Sequence, residues 1–220
     1  MDLRETRDAL VLAMLPHVPF DGWSRRSMGL ASVDTGHDAG LAERVFPGGA
    51  VGAIEHFSDL ADRRLVLDVA DAGLPSLRVR ERIARLVRGR VEPWASDREA
   101  IRRGLSMLAL PGNAAAALRA TYRTADAIWY LAGDTATDFS YYTKRATLAG
   151  VYTSTVFYWI EDASEGFEET WGFLERRIDD LMRISRIRAR LPRPFEALPD
   201  PMRLFARRSR VRRRFGVRAD

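Results

Sequence analysis

The run Ala146-Thr147-Leu148-Ala149-Gly150-Val151-Tyr152-Thr153-Ser154-Thr155-Val156-Phe157-Tyr158-Trp159-Ile160 is a charge-free stretch of 15 residues, a length that no other in this 220-residue chain exceeds. A helix needs about 20 apolar residues to cross a bilayer, and this run is shorter and contains Thr153, Ser154 and Thr155. It is therefore predicted to be a buried helix, part of a longer one over residues 139–159. Leu148, Val151, Tyr152, Thr155, Val156 and Trp159 recur at helical spacing and form one apolar stripe. Ala146, Ala149, Gly150, Thr153 and Ser154 beside it are all small. A helix that is apolar or small nearly all round must be covered on most sides. The spacing fits three roles: ordinary core, a dimer interface, or the wall of a pocket for an apolar ligand.

Outward from this helix the same periodicity recurs and strand-like alternation is scarce, so the fold is predicted to be all-α. On the C-terminal side, Asp162 to Ser164 break the helix. Phe167, Trp171, Leu174, Ile178, Leu181 and Met182 then mark the next one, with Glu165, Glu168 and Glu169 in its first turns, where carboxylates suit the helix dipole. Prolines 192, 194, 199 and 201 end it. On the N-terminal side, an alanine-rich helix over 113–132 carries Tyr122, Ile128, Trp129 and Leu131. Residues 77–91 form another, and Ser96 with Glu99 reads as a capping box opening a helix to about Leu108. Helices are also expected at 3–15, 24–33, 40–46 and 51–71. The last two are joined through Pro47-Gly48-Gly49 at helix-turn-helix spacing. Three regions result: a helix-turn-helix-like unit over 1–73, a helical domain over 74–191 that is a candidate for lipid binding and dimerisation, and a Pro-rich connector with a basic tail over 192–220.

Several chemistries lack their residues. There is no cysteine, hence no disulfide, thiolate metal site or thiol nucleophile. His17, His37 and His56 belong to no metal-binding spacing, and no glycine-rich phosphate loop is present. The chain is expected to be no enzyme and to hold no metal or cofactor. Specific nucleic-acid binding is not expected either. The helix after the turn offers Val51, Ala53, Ile54, Glu55, Phe57 and Asp59, and its acids face phosphates with the wrong sign.

The net charge of +5 is unevenly spread: residues 203–220 hold eight arginines and one aspartate, leaving the other 202 residues slightly negative. As a helix this tail places Leu204, Phe205, Val211 and Phe215 among Arg208, Arg212 and their neighbours. It is a candidate for lying on an anionic membrane surface, with a solvated tail and nonspecific nucleic-acid contact as the other readings. The N-terminus has no basic start followed by an apolar run, so no secretory signal is expected. The expected location is the cytoplasm, peripheral to the inner membrane.

The segment Trp129-Tyr130-Leu131-Ala132-Gly133-Asp134-Thr135-Ala136-Thr137-Asp138-Phe139-Ser140-Tyr141-Tyr142-Thr143-Lys144-Arg145 resembles a signature of the ubiquinone-biosynthesis accessory proteins. Leu148 to Trp159, Thr170-Trp171-Gly172-Phe173-Leu174, Arg176 to Asp180, and Phe46-Pro47-Gly48-Gly49 followed by His56-Phe57 are similar too. The likeness covers most of residues 1–185. Ala136 stands where many members carry serine, and Ser140-Tyr141 where they carry asparagine-tryptophan. The resemblance implies a tetracycline-repressor-like fold, a homodimer, and a helix-turn-helix that reads no DNA. It implies an isoprenoid lipid or quinone intermediate bound among the C-terminal helices and presented to a di-iron quinone hydroxylase. It also implies membrane contact through the C-terminal helix. The expected lipid-contacting residues are Tyr122, Ile128, Trp129, Leu148, Val151, Tyr152, Thr155, Val156, Trp159, Trp171 and Leu174. Asp134, Asp138, Phe139, Tyr141, Tyr142, Lys144 and Arg145 are the expected partner face. The competing function is a lipid-sensing transcription regulator of the same fold.

Overall fold

The computed structural model describes residues 2–69, 73–134 and 139–190, and among these it is helical throughout, without a strand. The helices are α1 (Leu3–Met14), α2 (Val18–Asp21), α3 (Arg25–Asp34), α4 (Leu41–Val45), α5 (Gly49–Asp68), α6 (Val79–Val91), α7 (Arg98–Leu108), α8 (Ala114–Leu131), α9 (Phe139–Glu161) and α10 (Glu168–Arg190). One compact unit runs from Met1 to Met182. A second, Arg183–Asp220, is described only as the α10 backbone through Arg190. The arginine-rich tail, with Leu204, Phe205, Arg208, Val211, Arg212 and Phe215, lies outside the described residues.

Local chemistry accounts for most boundaries. Asp2 opens α1 by donating its backbone N–H to Glu5 at 3.2 Å, and Ser24 opens α3 by accepting from the Ser27 N–H at 3.3 Å. Pro19 sits in the first turn of α2, and Gly22, at φ +67°, ends it in a conformation that a side chain would resist. This four-residue helix is too short to leave a periodic signal. The expected capping box at Ser96 and Glu99 does not form. Residues Glu92–Asp97 wind as a 3-10 helix, Ser96 Oγ turns to Asp97, and α7 starts at Arg98. Glu99 instead pairs forward with Arg102 and Arg103, each at 2.7 Å, so it cannot also reach back to a cap.

Two buried clusters organise the first unit. One joins α1 to α5 through Leu10, Met14, Met28, Ala53 and Phe57, and reaches Trp94 and Ala100 further along the chain. The other gathers Leu65 of α5, Ile83 and Leu86 of α6, Ile128 of α8, Leu148 and Trp159 of α9 and Leu174 of α10. Each fully buried Leu or Ile contributes roughly 1.5–3 kcal/mol through lost water contact. Ile101 of α7 packs against both clusters. Trp23 Nε1 fastens this part of α7 by donating to the Ala100 carbonyl at 2.8 Å.

The pair α4–α5 turns through Pro47 and Gly48, as the helix-turn-helix spacing suggested. Ile54 and Phe57 are buried. Glu55 is held by Arg119 at 2.9 Å and Asp59 by Arg63 at 3.0 Å. Arg44 on α4 is engaged bidentately by Asp38, at 2.9 and 2.6 Å.

Candidate functional site

Between the two clusters lies a cavity of about 110 Å³. Trp23, Phe57 and Trp94 line it from the N-terminal side, Ile101, Gly104, Leu105 and Leu108 from α7, and Tyr152, Thr153, Val156 and Trp159 from α9. The α7 side follows from its sequence: Ile101, Leu105 and Leu108 recur at helical spacing on one face. Gly104 keeps that face thin, and a Cβ there would sit 3.2 Å from Trp23 Nε1. Only Ala100 and Gly104 of α7 are fully buried, so this helix is the thinnest wall.

One end of the cavity is polar. Arg90 is buried, its Nε donating to Asp62 at 2.7 Å and its Nη2 to the Ser58 carbonyl at 3.1 Å. Asp62 also accepts from Thr124 Oγ1 at 2.8 Å and from Arg123 at 3.1 Å. Burial acts to lower the Arg90 pKa, but Tyr152 and Asp62 outweigh it and the group is held above its ordinary value. Burial, with Asp62 nearby, pushes the Tyr152 hydroxyl up, so it stays protonated. Trp159 Nε1 is buried with no hydrogen-bond partner among the described residues.

Of the residues expected to meet lipid, the structure brings Tyr152, Val156 and Trp159 to this cavity. Ile128, Trp129, Leu148, Val151, Thr155 and Leu174 are buried in the packing around it, and Thr155 Oγ1 is spent on the Val151 carbonyl at 2.8 Å. Trp171 is held through Nε1 to the Gly166 carbonyl at 2.9 Å, with Arg88 over its ring, and Tyr122 is on the exposed side of α8. The cavity is offset from the centre of the α9 stripe toward Thr153, a displacement that spacing along one helix does not encode. The walls from α5, α6 and α7 were not anticipated. Their signal is the one-sided pattern of α7, whereas buried Arg90 is indistinguishable in sequence from its exposed neighbour Arg85.

A second constellation surrounds the α8–α9 connection. Arg145, almost completely buried, reaches Asp126 through Nε and Asp134 through Nη1 at 3.1 Å, and lies over the Tyr141 ring at 3.3 Å. Lys144 pairs with Asp134 at 2.6 Å, and Trp129 Nε1 donates to the Lys144 carbonyl at 3.0 Å. The Tyr141 hydroxyl donates to Asp126 at 3.0 Å, a bond that raises its pKa. Burial acts to lower the Arg145 pKa, but the hydrogen bonds it donates to Asp126 and Asp134 outweigh it. Of the expected partner face, Asp134, Lys144 and Arg145 thus brace the connection from inside. Tyr142 is exposed, stands edge-on to Tyr141, and shares its accessibility with Tyr130, which is 76% exposed. Asp138 and the Phe139 side chain lie outside the described residues. Asp126 and Tyr130 were missed, because a carboxylate or phenol on an alanine-rich helix carries no local sign of its neighbours.

Among the described residues no group of three His, Asp or Glu is placed to hold a metal ion, and no helix is long and apolar enough to span a membrane.

Residues 114–185 match the COQ9 family model. The chain is similar to ubiquinone biosynthesis protein COQ9, mitochondrial, of Rattus norvegicus, 32% identical over 86% of this chain and 62% of that protein. It is similar to the Homo sapiens protein of the same name at 30% identity, over 86% and 61% respectively. The Drosophila melanogaster protein is 29% identical over 81% and 56%. The chain therefore spans about three fifths of the length of these relatives. Among solved structures, a TetR transcriptional regulator from Nitrosomonas europaea superposes with a TM-score of 0.65 at 21% identity, over 81% of this chain and 99% of that one. That likeness gives the fold: all-α and tetracycline-repressor-like.

Proposed function

We propose, from the premise that this chain is a COQ9 relative carrying the family's region at residues 114–185, that it serves ubiquinone biosynthesis as a non-catalytic accessory protein. In this reading it shelters an isoprenoid lipid or quinone intermediate and presents it to a di-iron hydroxylase. It works as a homodimer on a membrane surface, with the basic tail making the membrane contact. The observation that supports the reading best is the aromatic cavity between the two clusters, walled by Trp23, Phe57, Trp94 and Trp159. A prenyl chain gains about 0.8 kcal/mol per CH₂ withdrawn from water, so a carrier must offer a comparably apolar interior.

The size of the cavity sets a condition. An apolar cavity of about 150 Å³ holds one benzene, so a space of about 110 Å³ takes one ring or one five-carbon unit. A longer chain enters only if a wall moves, and α7, with two fully buried residues, is the wall that yields with least loss of packing. The exposed pair Tyr130 and Tyr142 supplies the partner surface in this reading, held in place by the buried Arg145 cluster.

The test is the organic extract of natively purified protein, analysed by mass spectrometry. The expected result is a bound prenylated or other long-chain lipid, with added farnesol binding to lipid-stripped protein. An extract without lipid, together with no farnesol binding by the stripped protein, refutes the reading.

A further inference from the structure

We propose that the polar end of the cavity is a seat for an oxygen-bearing aromatic ring, a phenol or quinone, so that a bound lipid enters head first and leaves its chain toward α7. The inference rests on the lipid-binding reading above and adds which end of the ligand the cavity recognises.

Three polar groups on the cavity wall lack protein partners among the described residues. Arg90 spends Nε on Asp62 and Nη2 on Ser58, which leaves Nη1 without a hydrogen bond. The Tyr152 hydroxyl makes none, although Arg90 and Asp62 lie close enough to act on it electrostatically. Trp159 Nε1 is fully buried and unpaired. Of the three, Trp159 Nε1 is the fully buried one; a buried donor in a protein interior is normally satisfied, and this one is a deficit that an occupant removes. Two of the three can only donate, so the occupant presents acceptor oxygens.

The remaining wall is apolar and flat-sided. Phe57 meets Trp94 edge-on with centroids 4.7 Å apart, and Trp23 stands 6.2 Å from Phe57. An isoprene unit fits the volume but strips water from the three donors and returns no hydrogen bond. A ring with oxygen substituents satisfies both halves of the surface. The ordinary alternative is a small cluster of water, since the volume also suits three or four molecules.

The experiment is calorimetric titration of the full chain and its Tyr152→Phe variant with three probes: 4-methylphenol, the size-matched 1,4-dimethylbenzene, and farnesol. The substitution deletes one oxygen and keeps the ring, so the fold is retained. The expected result is that Tyr152→Phe weakens 4-methylphenol about tenfold, the loss of one hydrogen bond, and leaves the other two within twofold. Equal effects on 4-methylphenol and 1,4-dimethylbenzene, or no binding of 4-methylphenol, overturn the ring seat; the lipid-binding reading survives if farnesol still binds. A selective loss for 4-methylphenol without farnesol binding supports the ring seat and removes the prenyl part of the reading. Binding of none of the three leaves a water-filled cavity and overturns both.

Discussion

Replacing Asp62 by alanine removes the carboxylate that, among the described residues, neutralises buried Arg90. The two side chains meet at 2.7 Å and are 7% and 6% exposed, so neither charge has water to fall back on. Thr124 keeps a second partner in the Ala120 carbonyl at 3.2 Å, and Arg123 keeps Asp59 at 3.8 Å and the Glu55 carbonyl at 3.2 Å. The loss therefore concentrates on Arg90. An uncompensated buried charge of this kind costs about 3–5 kcal/mol. For a chain of this size, at roughly 2–4 °C per kcal/mol, the melting temperature should fall by about 6–20 °C. Replacing both partners, as Asp62→Leu with Arg90→Met, removes the stranded charge together with its neutraliser and should cost much less than Asp62→Ala alone. Urea unfolding followed by far-ultraviolet circular dichroism measures all the variants in the cycle. If Asp62→Ala lies within about 1 kcal/mol of the parent, or the double variant loses the sum of the single ones, the account of this network is wrong.

Three further outcomes are expected. Gly133 ends α8 at φ +87°, where a Cβ would also sit 3.1 Å from Arg82 Nη1, so Gly133→Ala should lose about 1–2 kcal/mol in thermal unfolding; an unchanged or raised midpoint counts against it. The Asp162 carboxyl is pushed up by burial but held well below its ordinary 3.8 by stronger hydrogen bonds from Ser164 and Thr170. A depressed folded pKa means stability that is present above pH 3.8 and lost as the pH falls below it. Asp162→Ala should thus be about 2 kcal/mol weaker at pH 7, with a gap that narrows as the pH falls below 3.8; a gap independent of pH would rule this out. Tyr130→Ala with Tyr142→Ala should shift stability by no more than about 0.5 kcal/mol per site and yet weaken binding to the proposed partner, a di-iron quinone hydroxylase, at least tenfold, read by surface plasmon resonance; unaltered affinity moves the partner face elsewhere.

The helices were legible because they obey a local rule. Apolar residues at three- and four-residue spacing mark α5, α6, α9 and α10 regardless of what each one touches. What failed was set by neighbours distant in sequence. Glu99 looked like a capping partner until Arg102 and Arg103 competed for it. Lys144 and Arg145 are expected on the partner face, and in the structure both pair with Asp134, Arg145 with Asp126 as well. Of the α9 stripe, Tyr152, Val156 and Trp159 line the cavity, whereas Leu148 and Thr155 are packed into the core. A single helix reports the angle of a side chain about its own axis and nothing about the gap between two other helices. Trp23 and Phe57 come from residues 1–73, which the sequence reading assigned to a different region.

Ile101 packs against both buried clusters and lines the cavity between them. A guest lodged there would act as a keystone, bracing the N-terminal bundle against the helices that follow. Its arrival should slow amide hydrogen exchange around Leu10 and Met14, in a helix that does not line the cavity. Loading could then be read at the far end of the molecule by anything that touches the N-terminal bundle.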